Sequence, residues 1–395
     1  MEALPMPETP PPPTVCILGL GQMGLVCAPL LLGLNPSCPP DSTGPSGTSG
    51  AGLSPASDPR GAGVSPASPP RGVDASPPSP LPPIVRMWGH SLDEAGALAQ
   101  TRRSHRLEGF ELPESVKVCF ADADALAGAE VIVSAIPVQF IREAWTRLRP
   151  FVPAGAGVVS LAKGLENETL LRPTQIIADV LADDPDARPR PIAVLSGPTI
   201  AAELARGLPA TMIAASDDPV FATRVQQLFG TSYLRIYTNP DVLGVELASA
   251  TKNVIALAAG VLDGLQAGYN AKSALLARGL AEIARLGSAM GAAPETFFGI
   301  AGVGDLATTC FSPEGRNRSC GEALGRGRKL AEYLGDSPFV VEGVATTRSV
   351  MDLAKKYRVE MPITEAVHAV LFEGVDPIRA IGRLMSREVK QERVG

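Results

Sequence analysis

The amino-acid sequence predicts a doubly wound parallel α/β unit followed by an all-helical unit. Three observations carry that prediction. A glycine turn, Gly19-x-Gly21-x-x-Gly24, joins an apolar strand to an apolar helix in VCILGLGQMGLVCAPLLLG. Apolar runs then recur between helical segments, the pattern of strands covered on both faces of a parallel sheet. After about residue 235 the strand signals stop, and the apolar residues keep helical spacing to the end.

The elements follow in order. Residues 1–13 are proline-rich and lack the basic and apolar regions of a targeting segment, so they read as a disordered lead-in. TVCIL is the first strand, and the helix after the glycines meets Pro29 and then a tract at 34–83 dominated by Pro, Ser, Gly and Ala. That tract offers no apolar face to a core and reads as a disordered insert on a surface connection, where added length costs little closure entropy. IVRMW is the next strand; Ser91 caps a helix through Arg102, and SVKVCF is a strand. VIVSAIP, GVVSLA and IAVLSG continue the sheet, with helices between them, one starting near Leu170. The first unit therefore spans 14–235. The second, 236–395, contains DVLGVELASATKNVIALAAGVLDGL, AKSALLARGLAEIARLGSAMG and ITEAVHAVLFEG, all helical in period. The cleft between the units is the expected ligand site.

Bulk properties exclude several classes. A length of 395 residues suits two domains, and a net charge of -6 weighs against nucleic acid as the main partner. Six cysteines without a CxxC pair and only three histidines leave neither a disulfide framework nor a metal set, and fit a reducing, cytoplasmic setting. The longest apolar run, Leu247 to Leu262, is interrupted by Lys252 and Asn253, falls short of a membrane span and reads as a buried helix.

The chemistry-bearing residues are few. Gly19 allows the tight turn, Gly21 lets a pyrophosphate approach, and Gly24 lets helix pack on strand. The second strand ends MWGHS with no acidic residue for a ribose hydroxyl, and His90 with Arg86 favours NADPH over NADH. Lys163 ends the strand VVSLA at the ligand-binding edge, while Lys252 lies in an apolar helix beside Asn253, where a lysine needs a partner or a route to water. A second lysine nearby would lower both pKa values toward those of a proton donor. GVGDLATTCFSPEGRNRS supplies Asp305, Thr309, Arg316 and Asn317, and adjacent Arg and Asn suit a phosphate. Each feature alone has a plainer explanation: a tight turn, a snorkelling lysine, a solvated arginine.

Together these residues resemble a family. LSGPTIAAELARGLPA, GVELASATKNVIALAAGVLDGL, AGVGDLATTC with GRNR, VVEGVATT and MPITEAV are similar, in order, to the signature blocks of NAD(P)-dependent glycerol-3-phosphate dehydrogenases of bacterial and plastid type. The resemblance implies a Rossmann-like first domain, an all-helical second domain, a homodimer, and NADPH- or NADH-linked interconversion of dihydroxyacetone phosphate and sn-glycerol 3-phosphate for glycerolipid synthesis. It implies Lys252 as catalytic lysine, Lys163 as a second lysine on both cofactor and substrate, and Asp305 orienting the ammonium. Substrate positions would be Gly197, Thr199, Asn253, Thr309, Gly315, Arg316 and Asn317. Cofactor positions would be Gln22, Met23, Gly89, His90, Pro137, Ala201, Arg316, Val340 and Glu342 with the three glycines. The chain departs from the family pattern at Gln22-Met23, Pro29, Ala162, Ile200 and Ala202. GLGQMG also resembles the β-hydroxyacid dehydrogenases, which carry Lys and Asn one helical turn apart where this chain has them adjacent. A third alternative is a cofactor-binding protein whose insert has cost it turnover.

Overall fold

The computed structural model describes residues 11–35, 82–182, 190–337, 339–388 and 391. The lead-in as far as residue 10 and the insert from 36 to 81 lie outside the described residues. The first unit runs β1 (Thr14–Leu18), α1 (Gln22–Leu31), β2 (Ile84–Trp88), α2 (Leu92–Thr101), β3 (Lys117–Cys119), α3 (Asp122–Leu126), β4 (Val131–Ser134) and α4 (Val138–Leu148). It continues with β5 (Gly157–Ser160), α5 (Pro173–Leu181), β6 (Ile192–Ser196), α6 (Ala201–Ala205), β7 (Ala210–Ser216), α7 (Pro219–Phe229) and β8 (Leu234–Asn239).

These strands form one sheet in the order β3-β2-β1-β4-β5-β6-β7-β8. Alternate residues of β1 serve opposite faces: Val15 and Ile17 join α1, α2 and α7 in one core, and Cys16 and Leu18 join α3, α4 and α5 in another. Chain order reverses between β1 and β4, which opens a crevice at their carboxyl ends. The expected parallel sheet needs one correction, because β7 runs antiparallel to β6. The five residues of α6 rise only about 7.5 Å against about 17 Å for the five residues of β6, so this helix does not carry the chain back along the strand as a parallel crossover helix does. The sheet also continues past the boundary expected at 235, since β8 reaches Asn239. Its alternation, Leu234 and Ile236 in, Arg235 and Tyr237 out, is that of an edge strand.

Pro29 does not end α1. The helix runs through it to Leu31, and the first turn, where Leu25 N donates to Gly21 O at 3.0 Å, lies ahead of the proline.

The second unit is helical: α8 (Val242–Gly264), α9 (Gly268–Met290), α10 (Pro294–Phe298), and a π-helical turn, Ile300–Gly304, leading into α11 (Asp305–Phe311). Then come α12 (Arg316–Gly325), α13 (Leu330–Asp336), α14 (Glu342–Tyr357), α15 (Pro362–Phe372) and α16 (Pro377–Met385). The helix α8 is longer than its apolar run suggested, and by length and composition it could cross a membrane, but 89% of its apolar window is buried inside the protein. It is the central strut of the unit, and α12 crosses it at backbone contact. A Cβ on Gly260 would lie 1.9 Å from Arg318 O, and one on Gly321 would lie 2.0 Å from Leu257 O. That crossing seats the start of α12 beside Lys252 and Asn253.

Candidate active site

A cleft of about 790 Å³ opens at the β1–β4 crevice, with the sheet unit on one side and α8, α11, α12 and α14 on the other. At one end the glycine turn forms a cradle. Gly19 has φ +113°, and a Cβ there would sit 2.8 Å from Ala135 O; a Cβ on Gly24 would sit 2.1 Å from Gly19 O. Gly21 faces open space. Among the described residues no side chain caps α1, and no acidic residue stands in its first turn, so its first N–H groups and positive dipole end suit a pyrophosphate. This donor set fits a dinucleotide. Gln22, Met23, Gly89, His90, Pro137, Ala201, Val340 and Glu342 line the same cleft.

At the other end, two lysines converge on one carboxylate. Lys252 Nζ donates to Asp305 Oδ1 at 2.5 Å and to Thr309 Oγ1 at 2.5 Å; Lys163 Nζ donates to Asp305 Oδ2 at 2.9 Å and to Gly197 O at 3.3 Å. Asp305 is 1% exposed, and Lys252 is buried with it. Burial lowers the Lys252 ammonium to about 8; Lys163 pushes the same way, and Asp305 opposes both. The cluster of two cations and one anion thus holds one net positive charge at the cleft floor.

The carboxyl of Glu342 is pushed up by burial, against the pull of Arg316, Lys163 and Lys252.

Neighbouring groups have defined partners. Asn317 Oδ1 accepts from Gly343 N at 2.8 Å, which joins the starts of α12 and α14. Arg316 is exposed at the rim, where its Nη1 donates to Val340 O at 3.3 Å. Asn253 Nδ2 is buried with no hydrogen-bond partner among the described residues, which leaves a donor open to a ligand acceptor. Thr199, Gly315, Lys163, Lys252, Asn253, Thr309, Arg316 and Asn317 all line the cleft. Asp305 and Gly197 lie beneath it as partners of the lysines.

One candidate does not reach the site. Arg86 turns its Nη1 to the carbonyls of Asp124, at 3.1 Å, and Ala127, at 2.6 Å, and so is spent on the end of α3. Its inward or outward direction follows from strand phase, which the sequence shows only once the register is known. Conversely, Glu94, Arg106, Phe140 and Glu143 line the cleft without having been singled out. Arg106 sits in an irregular loop where no periodicity signals a site.

A larger groove of about 1310 Å³ among α8, α9, α15 and α16 contains none of the lysine cluster or the glycine turn. The chemistry therefore selects the smaller cleft.

Residues 81–222 match the N-terminal region of NAD-dependent glycerol-3-phosphate dehydrogenases, and residues 241–382 match the C-terminal region. The chain belongs to the NAD-dependent glycerol-3-phosphate dehydrogenase family. It is 45% identical over 309 residues to a glycerol-3-phosphate dehydrogenase [NAD(P)+] of Salinibacter ruber, covering 78% of this chain and 90% of that one. A Bacillus pumilus relative of the same description is 45% identical over 304 residues, 77% of this chain and 87% of its own. The crystal structure of glycerol-3-phosphate dehydrogenase from Coxiella burnetii superposes with a TM-score of 0.78 at 30% identity, covering 95% of this chain and 99% of that chain. The dehydrogenase from Saccharomyces cerevisiae, at 22% identity and TM-score 0.71, shares the fold. The N-terminal match begins at 81, so β1 and α1 stand ahead of it across the inserted tract.

Proposed function

We propose that the chain interconverts dihydroxyacetone phosphate and sn-glycerol 3-phosphate with NADH or NADPH, and that its two lysines and one aspartate carry the chemistry. The observation behind this is the buried Lys252–Asp305–Lys163 cluster at the floor of a cleft whose other end is a dinucleotide cradle. Gly19, Gly21, Gly24 and the start of α1 would hold the dinucleotide, whose reduced nicotinamide would be the source of hydride for the substrate's C2 carbonyl. Lys252 gives the proton to the oxygen at C2, because burial brings its ammonium to about 8, close to the pH at which a general acid works best. Lys163 places a second positive charge beside the same oxygen. Asp305 fixes both ammonium groups and keeps Lys252 charged, while Thr309 completes the orientation of Lys252. In the reverse direction, neutral Lys252 takes the hydroxyl proton.

The substrate phosphate lies toward α12. Arg316 offers a planar fork at the rim, and Asn317 and the unpartnered Nδ2 of Asn253 offer neutral donors below it. Phosphate binding remote from C2 positions the carbonyl. Gly197, Thr199 and Gly315 shape the substrate end. Gln22, Met23, Gly89, His90, Pro137, Ala201, Val340 and Glu342 border the cofactor.

The working boundary between the cofactor unit and the substrate unit falls between β8, which ends at Asn239, and α8, which starts at Val242, and the protein works as a cytoplasmic homodimer; the buried free thiols of Cys16, Cys27, Cys119, Cys310 and Cys320 suit a reducing compartment. The test is oxidation of NADPH or NADH by the purified chain with dihydroxyacetone phosphate and, separately, with dihydroxyacetone. Turnover should require the phosphate. Equal rates with both substrates would remove the role given to Arg316, and no turnover with either cofactor would favour a binding protein.

A further inference from the structure

The strand-2 end of the cleft carries a charge arrangement that the catalytic cluster does not use. Gly89, His90 and Ser91 follow the strand, and Glu94 at the start of α2 holds Arg106 beside them. Arg106 and Arg316 are the arginines that line the cleft among the described residues, and Arg316 is tied to Val340 between α13 and α14. Arg106 does not point freely into the cleft. Its Nε and Nη2 donate to the two oxygens of Glu94, which stands in the first turn of α2. Both side chains are largely covered, at 34% and 22% exposure, so the pair is only partly screened by water. The loop that carries Arg106 is itself braced. Arg102 donates to Leu112 O, Pro113 O and Val116 O, and Gln22 Nε2, from the first turn of α1, donates to Arg106 O at 2.8 Å.

Dinucleotides of this fold place the adenosine ribose 2′ position beside the turn after the second strand. NADPH brings a 2′-phosphate there, and NADH a hydroxyl. A phosphate needs a cation, and bidentate arginine is the strongest that a protein offers. With Arg106 closed on Glu94, neither arginine that lines the cleft among the described residues offers a free guanidinium at that end. Closed, it suits the hydroxyl; opened, Arg106 suits the phosphate.

We infer that the Glu94–Arg106 pair sets the choice between NADH and NADPH, with Arg106 as receiver of the 2′-phosphate and Glu94 as its competitor. The inference rests on the dehydrogenase reading above. It makes discrimination between the two cofactors modest in the native chain, because each gain of a phosphate contact costs an existing ion pair.

The experiment uses Arg106→Gln and Glu94→Gln in the full chain, with two readouts. The first is the ratio of kcat/KM for NADPH to that for NADH with dihydroxyacetone phosphate. Arg106→Gln should lower this ratio by about tenfold or more, the worth of one hydrogen bond to a charged group. Glu94→Gln should raise it by roughly fivefold or more. The second readout is calorimetric binding of adenosine 2′,5′-bisphosphate and of adenosine 5′-monophosphate, which needs no turnover. Arg106→Gln should weaken the bisphosphate relative to the monophosphate by the same factor. A pair that only braces the loop would give parallel losses for both cofactors and both probes. Parallel losses, or ratios that do not move, overturn the inference. Absent turnover in the wild type with normal probe selectivity would instead count against the dehydrogenase reading.

Discussion

Asp305→Asn removes one charge and leaves the shape of the cluster in place, so it tests what holds Lys252 in its acid form. Asp305 is 1% exposed and bonds both ammonium groups, at 2.5 and 2.9 Å. A pair of unit charges near 4 Å at an effective dielectric of about 20 interacts by roughly 4 kcal/mol, and an opposite charge at such range moves a pKa by about 1 to 3 units. Burial and Lys163 already depress Lys252 to about 8 with Asp305 present. Without the carboxylate, Lys252 should fall to roughly 5 to 7. At about pH 7.5 its charged fraction, and with it kcat/KM for ketone reduction, should drop by roughly three- to two-hundred-fold. The sign is fixed by the chemistry: reduction needs the ammonium, so the alkaline limb of the pH profile, near 8 in the wild type, should move to lower pH. Activity should partly recover on acidification. The assay is kcat/KM against pH for both proteins, with circular dichroism to establish folding. An alkaline limb still near 8 in Asp305→Asn, or a loss equal at every pH, would refute the assignment of Asp305 as the group that keeps Lys252 charged.

Other variants probe separate parts of the structure. Lys252→Ala should cut kcat by about a hundred- to ten-thousand-fold with NADPH affinity, read by fluorescence, nearly intact, and Lys252→Arg should rescue little because a guanidinium does not release a proton near neutral pH; retention of more than about a tenth of kcat would move the proton-donor role to Lys163. Gly321→Ala should lower the melting temperature and raise the substrate KM, since its Cβ would press on Leu257 O at 2.0 Å and displace the start of α12; an unchanged KM would separate the helix crossing from the phosphate site. Glu282 accepts from Ile363 N, Thr364 N and Thr364 Oγ1 at the start of α15, and burial raises it to about 7 from 4.5. Its protonated form is therefore favoured by folding, a stabilisation fully present below about 4.5 and lost as pH rises through about 7. Relative to Glu282→Gln, the wild type should lose on the order of 3 kcal/mol across that window in urea unfolding; a difference that does not change with pH would show the carboxyl to be charged throughout.

How much of this was legible in the sequence depends on whether the signal was local. The cradle was legible, because Gly19, Gly21 and Gly24 must follow a strand and open a helix for their roles to make sense, and all three conditions are adjacent in the chain. The central helix was legible from its run of apolar residues, and Lys252 stood out as the charge within it. The short cap at Ser91 was legible too: its Oγ accepts from Glu94 N at 3.2 Å, and the left-handed Arg102 ends the helix as expected. The sheet was less so. β7 and the edge strand β8 went unread, since small apolar residues at 210–216 and the short alternation at 234–239 sit amid helical signals.

What joins the lysines was legible only through the family resemblance and not from any local signal. Lys163 and Asp305 are 142 residues apart, and Lys252 and Asp305 are 53 apart. Nothing local fixes the distance between them. It is set by three remote devices: the carboxyl end of β5, which delivers Lys163; the close α8–α12 crossing; and the π-helical turn before α11, where a Cβ on Gly302 would lie 1.9 Å from Phe297 O. The same limit explains Arg86 and Arg106. Both are arginines near the second strand, and the one closer in sequence to the turn is bound to the carbonyls of Asp124 and Ala127, while the one across a braced loop enters the cleft. Charge near a cofactor turn is therefore a question of strand phase and loop bracing before it is one of residue type, and the cofactor preference inferred from His90 and Arg86 has to be argued again from Glu94 and Arg106.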